Sequence, residues 1–287
     1  MAGARDARTL LRDAVLVLKA ADIENPVADA RILLQFTMQV SREELLRDPE
    51  LSFTDAECDR FMAFVARRAG REPISHLTGQ REFWGLPFQV NHDVLDPRPD
   101  SESLVEAVLF QIEDKKRPLS ILDLGTGSGC LLLALLHELT NAWGVGVDVS
   151  EAALAIAKSN ALALALADRA TFCRAHWADA ISGRFDIIIS NPPYIVEGDI
   201  QMLAPEVSQH DPLLALSGGA DGLAAYRHIA FNINTLLSKN GWVAIECGAG
   251  QWNDVATILA NPNLNAKPAI HDLNGIPRVF LAQAGNP

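Results

Sequence analysis

Asn191-Pro192-Pro193-Tyr194 follows directly on the apolar run Phe185-Asp186-Ile187-Ile188-Ile189-Ser190. A buried strand is expected to end there in a tetrapeptide with almost no free backbone donors, because proline has no N–H. The paired prolines expose carbonyls, and the Asn191 side chain adds one more carbonyl oxygen. Such a lip suits a ligand with two hydrogens on one nitrogen, an amide or an exocyclic amine. Tyr194 offers a flat surface against which that planar group can pack. On its own, Pro-Pro also serves simply to end a strand rigidly. The upstream sequence favours the chemical reading.

Upstream, Ile121-Leu122-Asp123-Leu124 runs into Gly125-Thr126-Gly127-Ser128-Gly129 and then into the apolar residues 130–136. The pattern is strand, glycine loop, helix, with free N–H groups at the helix start that favour an anionic or electron-rich ligand group. A second strand, Trp143-Gly144-Val145-Gly146-Val147, ends in Asp148. An acid about twenty positions past such a loop is placed to accept bonds from ribose hydroxyls. The dinucleotide fingerprint is G-x-G-x-x-G; here the spacing is G-x-G-x-G, with Asp123 two positions before the first glycine. A pyrophosphate would find Asp123 an awkward neighbour, whereas an amino-acid ammonium would find it useful. That combination points to S-adenosyl-L-methionine rather than a nicotinamide cofactor.

With these motifs in view, the chain resembles the HemK/PrmC-type peptide chain release factor N5-glutamine methyltransferases. The matching stretches are Arg71-Glu72-Pro73-Ile74-Ser75-His76-Leu77-Thr78-Gly79, Arg81-Glu82-Phe83-Trp84, Pro97-Arg98-Pro99-Asp100-Ser101-Glu102, the glycine loop and Asn191-Pro192-Pro193-Tyr194. Asp211-Pro212-Leu213-Leu214-Ala215-Leu216 and Asp272-Leu273-Asn274-Gly275, through Arg278, continue it. Many methyltransferases share the glycine loop, and amino-methylating enzymes generally share Asn-Pro-Pro-Tyr. The Arg-Pro-Asp-Ser-Glu and Asp-Pro-Leu segments narrow the match. The resemblance implies a Rossmann-like class I S-adenosylmethionine-dependent methyltransferase domain with a seven-stranded sheet, and a small N-terminal helical domain. It implies methyl transfer to the glutamine of a Gly-Gly-Gln motif in class 1 peptide chain release factors. The alternatives are another protein glutamine, an adenine exocyclic amine, or cofactor binding without turnover.

The resemblance also assigns residues. Gly125, Thr126, Gly127, Ser128 and Gly129 would surround the methionine part of the cofactor, with Asp123 beside them, Asp148 on the ribose and Trp177 beside the adenine. Asn191, Pro192, Pro193 and Tyr194 would carry catalysis and hold the substrate, Asn191 would touch the cofactor as well, and Arg98 would be structural or substrate-positioning. The chain departs from the family at two places. His176 stands where an acid usually accepts from the adenine amine, and Asp96 stands where an apolar residue usually precedes Pro-Arg-Pro. Asp96 can pair with Arg98 or with a partner, or be a solvated loop charge. Glu246 and Asp221 are acids near the catalytic edge, and for both a structural role is expected rather than a chemical one.

A chain of 287 residues with 49% hydrophobic content can bury one large core and a small second one. The net charge of −12 argues against a strong nonspecific grip on nucleic acid. Cys58, Cys130, Cys173 and Cys247 show no metal-ligand spacing, and reduced thiols suit a cytoplasmic protein. Neither a signal peptide nor an apolar run long enough for a bilayer is expected, and no exposed apolar stripe calls for more than a monomer.

The expected division is a helical substrate-recognition domain over 1–75, a β-hairpin linker over 76–98 and the methyltransferase domain over 99–287. In the first part, Leu10, Leu11, Ala14, Val15 and Leu18 give one apolar face, and Ile32, Leu33 and Phe36 another. Pro26 suits a first helical turn, and Ser41 with Glu44 and Thr54 with Glu57 read as capping boxes. Arg67, Arg68 and Arg71 suit either a helix C-terminus or a partner. Alternating strands and helices beyond Pro99 indicate an α/β domain, with strands at 119–124, 143–148, 170–175, 185–190, 241–247, 268–273 and 277–283. Helices are expected over 152–167 and 222–237, a capping box at Ser103 with Glu106, and a hairpin turn at Asn274-Gly275.

Overall fold

The computed structural model describes residues 5–179 and 181–285. The chain divides into two compact units, one comprising residues 1–79 with 204–210 and the other residues 80–203 with 211–287.

The first unit is helical. Helices α1 (Ala7–Ala20), α2 (Pro26–Met38), α3 (Arg42–Arg47), α4 (Asp55–Ala69) and α5 (Ile74–Thr78) follow in order, with a two-residue ladder between β1 (Arg5–Asp6) and β2 (Ser52–Phe53). Leu10, Ala14 and Leu18 of α1 pack with Phe61 and Val65 of α4. Both expected capping boxes form, Ser41 with Glu44 and Thr54 with Glu57, and Pro26 is the first residue of α2. The buried face of α2 is Ala30, Leu33, Leu34 and Thr37, so Ile32 and Phe36 stay exposed, contrary to the expected face. The stripe is rotated because Ala30 and Leu34 meet α1 and α4, while Phe36 instead stacks edge-on with Phe64 at 5.6 Å. Arg68 is buried and bonds Asp29 at 2.7 Å and Glu206 of the short helix Pro205–Ser208 at 3.0 Å. Arg71 reaches the same Glu206 at 3.1 Å, and Arg67 pairs with Glu72. These arginines therefore satisfy carboxylates inside their own unit.

The second unit opens with the hairpin β3 (Gln80–Phe83) and β4 (Leu86–Gln89). Trp84 and Gly85, both at positive φ, make its two-residue turn. Phe83 and Phe88 bury into the core beside helices α6 (Glu102–Phe110) and α7 (Cys130–Glu138). The expected capping box at Ser103 and Glu106 does not form. A 3-10 turn over Pro99–Ser101 leads straight into α6, and the Ser103 hydroxyl donates back to the Asp100 carbonyl.

The central sheet contains β5 (Ser120–Leu124), β6 (Trp143–Asp148), β7 (Ala170–Arg174), β8 (Phe185–Ser190), β9 (Leu237–Glu246), β10 (Leu264–Ala266), β11 (Ile270–His271) and β12 (Pro277–Ala284). Its order is β10-β12-β9-β8-β5-β6-β7, seven strands in a path, with β11 pairing beside β12 as an eighth. Strands β5 to β9 are mutually parallel, and β12 returns antiparallel to β9. The strand expected over 268–273 is reduced to β11, and β10 was not anticipated, because Lys267 and Pro268 break the segment between them. A turn held by the Asp272 carboxylate joins β11 to β12, with Gly275 at φ +77°. Helix α8 (Glu151–Ala163) follows β6, and a helix spans Ala224–Leu236. The latter ends early because Leu237 is drawn into β9 opposite Phe185. The two faces of the sheet carry separate cores, one with α6 and α7, the other with Tyr226, Ile229 and Ile233. From β5 the chain runs outward through β6 and β7, then returns to β8 on the other side. That reversal opens a crevice at the C-terminal ends of β5, β6 and β8. Among the described residues, no helix is long and apolar enough to cross a membrane.

Candidate active site

Three strand ends meet in that crevice. After β5, Gly125, Gly127 and Gly129 take positive φ values of 75°, 54° and 80°. A side chain on Gly129 would press within 3.2 Å of Ala157 and Leu133, so the loop needs glycine there both for conformation and for room. The N–H groups of Gly125 and Thr126 donate to the Val147 carbonyl at 2.9 Å. Asp148, closing β6, accepts from Gly127 N–H through one carboxylate oxygen and from Ser150 N–H through the other, both at 2.9 Å. It therefore fastens the glycine loop to the neighbouring strand. Asn160 of α8, fully buried, adds a second tie by donating to the Ser128 carbonyl at 2.9 Å. The same amide exchanges hydrogen bonds with Gln89 of the hairpin.

The Asp123 carboxyl is buried behind this loop. Thr126 Oγ1 donates to its Oδ2 at 2.6 Å, while Oδ1 has no hydrogen-bond partner among the described residues. Burial pushes its pKa up to about 7, against the Thr126 bond, with the Asp148 charge adding to the rise.

A cleft of about 320 Å³ lies over these ends, within the size range of small-molecule sites. Of the residues expected at the site, Gly125, Thr126, Gly127, Ser128, Asp148, Trp177, Asn191, Pro193 and Arg98 line it. Asp123, Gly129, Pro192 and Tyr194 are not on its wall. The Trp177 indole lies over Gly125, 3.4 Å from where a side chain there would begin. His176 also faces the cleft, 3.5 Å from Asp179 and edge-on to His228 at 5.2 Å.

At the end of β8, the Asn191 amide nitrogen donates to Ser101 Oγ at 3.0 Å, and Ser101 Oγ donates to Glu246 Oε2 at 2.5 Å. Asn191 Oδ1 makes no hydrogen bond among the described residues, so the acceptor end of this cleft-lining side chain is left for a ligand. Tyr194 is turned back into the protein. Its carbonyl accepts from Gln251 Nε2 at 2.9 Å, and burial raises its phenol to about 12, with the Glu246 charge adding to the rise. Ser101, Gln251 and Asn160 carry no site role in the sequence reading, and Glu246 stands there only as an acid near the catalytic edge. Each works through a partner at least 32 positions away, and no local pattern marks such a pair.

Comparison with known proteins bears on this arrangement. Residues 9–79 match the PrmC N-terminal domain, and residues 99–214 match the methyltransferase small domain. The release factor glutamine methyltransferase of Rhodospirillum rubrum is 45% identical over 266 residues, covering 93% of this chain and 81% of that protein. This chain belongs to the release factor glutamine methyltransferase family. The Bradyrhizobium diazoefficiens member is 42% identical, covering 93% of this chain and 91% of its own length. A methyltransferase structure from Pyrococcus furiosus, at 15% identity and a TM-score of 0.54, covers 78% of this chain and 98% of its own. At that identity the likeness concerns the Rossmann-like methyltransferase fold alone.

One feature of this family member concerns Arg98. Its guanidinium pairs with Asp211 at 2.5 Å, and the Asp211 side chain is almost entirely buried. Burial pushes Asp211 up to about 6, Arg98 pulls it down, and nearby Asp96 raises it again. Asp96 is itself buried, 3.7 Å from Arg81, and is not the solvated loop charge the sequence allowed. Arg98→Ala would leave Asp211 without this ion pair, and its carboxyl would rise further. The variant should melt several degrees below wild type at pH 8, where Asp211 must ionise without the Arg98 guanidinium. The deficit should shrink toward pH 5, where Asp211 takes up a proton instead. Thermal denaturation at the two pH values checks this, and an equal deficit at both would remove the Asp211 explanation.

Proposed function

We propose that this chain transfers the methyl group of S-adenosyl-L-methionine to N5 of the glutamine in the Gly-Gly-Gln motif of class 1 peptide chain release factors. The observation that carries the reading is the orientation of Asn191. Its N–H end is tied to Ser101, which leaves a carbonyl oxygen facing the cleft beside the glycine loop. A primary amide with two N–H hydrogens complements that oxygen, with the Pro192 carbonyl as the second acceptor once the amide reaches past the cleft wall to it.

The residues present also fit the cofactor. Gly125, Thr126, Gly127, Ser128 and Gly129 give a close backbone approach, Asp148 stands at the end of β6 for ribose hydroxyls, and Trp177 supplies a flat wall for adenine. The unpartnered Oδ1 of Asp123, in a carboxyl that burial makes reluctant to ionise without a cationic partner, suits an ammonium group. When bound, the sulfonium cofactor supplies an already activated methyl group. What the chain must add is alignment and charge complementarity. An amide nitrogen is a poor nucleophile because its lone pair is delocalised, so fixing the NH2 plane is worth many kcal/mol, about 7–11 in favourable cases. As the N–CH3 bond forms and the S–CH3 bond breaks, positive charge grows on nitrogen. Asn191 Oδ1 and the Pro192 carbonyl meet that charge more strongly than they meet the ground state. One N–H proton then leaves to solvent, restoring a neutral amide. A release factor substrate would be met in the cytoplasm.

Mass spectrometry of a purified release factor incubated with this protein and cofactor tests the reading. One added methyl on the Gly-Gly-Gln glutamine supports it. Cofactor binding with no gain on that glutamine would move the substrate elsewhere.

The Asp123 assignment has its own consequence. An ammonium beside Asp123 favours the carboxylate, so cofactor binding should release a proton between about pH 4 and 7. Affinity should therefore weaken as pH falls below about 7, by up to tenfold per unit. Calorimetric titration at pH 6 and 8 measures this slope. Asp123→Asn should bind more weakly and flatten the slope; an unchanged slope in that variant would refute the contact.

A further inference from the structure

We propose that Ser101 and Glu246 form a clasp whose hydrogen-bond direction decides which end of the Asn191 amide faces the cleft. The inference rests on the reading of Asn191 given above. Both are positioning residues, acting through Asn191 rather than on the substrate.

Glu246 is the last residue of β9 and is 1% exposed. Ser101 ends the turn before α6, and the two meet across 145 positions of sequence. A serine hydroxyl has one proton. While that proton points at the Glu246 carboxylate, the Ser101 oxygen can only accept from Asn191, and Asn191 must present its N–H. The amide is thereby held with Oδ1 toward the cleft. If Glu246 takes up a proton, its own O–H can donate to Ser101, and the Ser101 proton is freed to point at Asn191. The arrangement that satisfies this reversed chain has Oδ1 turned inward and the amide N–H groups toward the cleft. A flipped Asn191 would meet a substrate NH2 donor to donor, with no bond between them.

The surroundings place this reversal within reach of ordinary pH. Burial raises Glu246 to about 7, opposed by Ser101, Arg278 and Asn191 and reinforced by Asp100. The other titratable groups facing it are Tyr194, Cys130 and Cys247, and the Tyr226 hydroxyl donates to its backbone carbonyl. The three side chains are raised to about 12 and stay neutral in this range. Arg278 is itself engaged by Asp100 and Asp272 at 2.9 Å. Glu246 is therefore the group in this cluster poised to change charge near neutrality.

The first test needs neither cofactor nor substrate. In the ligand-free protein, the side-chain 15NH2 signal of Asn191 should move with pH around neutrality, and the movement should vanish in Ser101→Ala and in Glu246→Gln. A signal that does not move, or that moves identically in both variants, would overturn the clasp. The second test uses turnover at saturating cofactor. The wild-type kcat should fall on the acid side of about pH 7. Glu246→Gln should lose about tenfold or more in kcat at pH 8 and abolish the acid limb, with KM and cofactor affinity within about threefold. Ser101→Thr, which keeps the hydroxyl, should recover most of what Ser101→Ala loses. Retention of the wild-type kcat and acid limb in Glu246→Gln would sink the proposal. If the wild-type protein leaves the release-factor glutamine unmethylated while the Asn191 signal behaves as described, the clasp stands and the functional reading falls.

Discussion

Asn191→Ala is expected to reduce turnover on a release-factor glutamine by about 10²–10³-fold while leaving cofactor affinity within about threefold. The split follows from where each group is held. Most of the expected cofactor contacts sit on the ends of β5 and β6, where Asp148 and Asn160 fasten the glycine loop. The Asn191 side chain is held by Ser101 and also acts on the Glu246 carboxyl, so its removal disturbs the acceptor and this small cluster. The lost oxygen is one that strengthens its contact as charge develops on nitrogen, so the loss should appear in kcat and not merely in KM. Asn191→Asp gives a contrast, because it keeps an acceptor but cannot donate to Ser101 and sets a second carboxyl beside Glu246. It should retain part of the activity. Single-turnover kinetics with isothermal titration of the cofactor separates the two quantities. Turnover of Asn191→Ala within about threefold of wild type would mean that its oxygen does not hold the substrate.

The readable part of this protein was the part governed by local rules. Glycine at positive φ, a donor-free proline pair and an acid at a strand tip each have meaning within a few residues, so the ends of β5, β6 and β8 could be placed from sequence. The capping boxes at Ser41 and Thr54 formed for the same reason. The box expected at Ser103 failed because Pro99 starts a 3-10 turn three residues before the α-helix opens at Glu102, and that leaves Ser103 inside the first turn. Glu246 could be placed near the catalytic edge from sequence, but no role followed from its position alone. Its burial follows from β12 and α6 covering β9, and neither contact is written near residue 246. Asp96 stays open in the sequence between an ion pair and a solvated charge, since only the fold brings Arg81 and Asp211 to it. Tertiary partners decided these cases, and periodicity or motif spacing carries no record of them.

The segment Ser217-Gly218-Gly219-Ala220-Asp221-Gly222 shows how much of the catalytic lip depends on such partners. The Ile195 N–H donates to Leu216 and the Gly218 N–H to Ile195, and the Glu197 N–H donates to Gly219, so this loop zips onto the exit from Asn-Pro-Pro-Tyr. Gly222 completes the fit at φ +75°. A methyl there would stand 2.5 Å from the Tyr194 carbonyl oxygen and 2.6 Å from Gln251 Nε2, the two atoms whose hydrogen bond anchors Tyr194. Gly222→Ala should therefore break that bond and shift the lip, in addition to the left-handed backbone penalty of about 1–2 kcal/mol. A displacement of about 1 Å at the reacting groups costs on the order of 10²-fold in rate, so turnover should fall about that far while cofactor affinity changes little. Gly250→Ala is the matched control. Its φ is +81°, yet no atom lies within 4 Å of the added methyl, so it carries the backbone penalty alone. Both variants should lose a few degrees in melting temperature, and only Gly222→Ala should lose the larger share of kcat. Equal kcat in the two would show that the Gln251–Tyr194 anchor does not position the lip. A loss confined to Gly222→Ala would place the geometry of Asn191 under the control of a loop some thirty residues away.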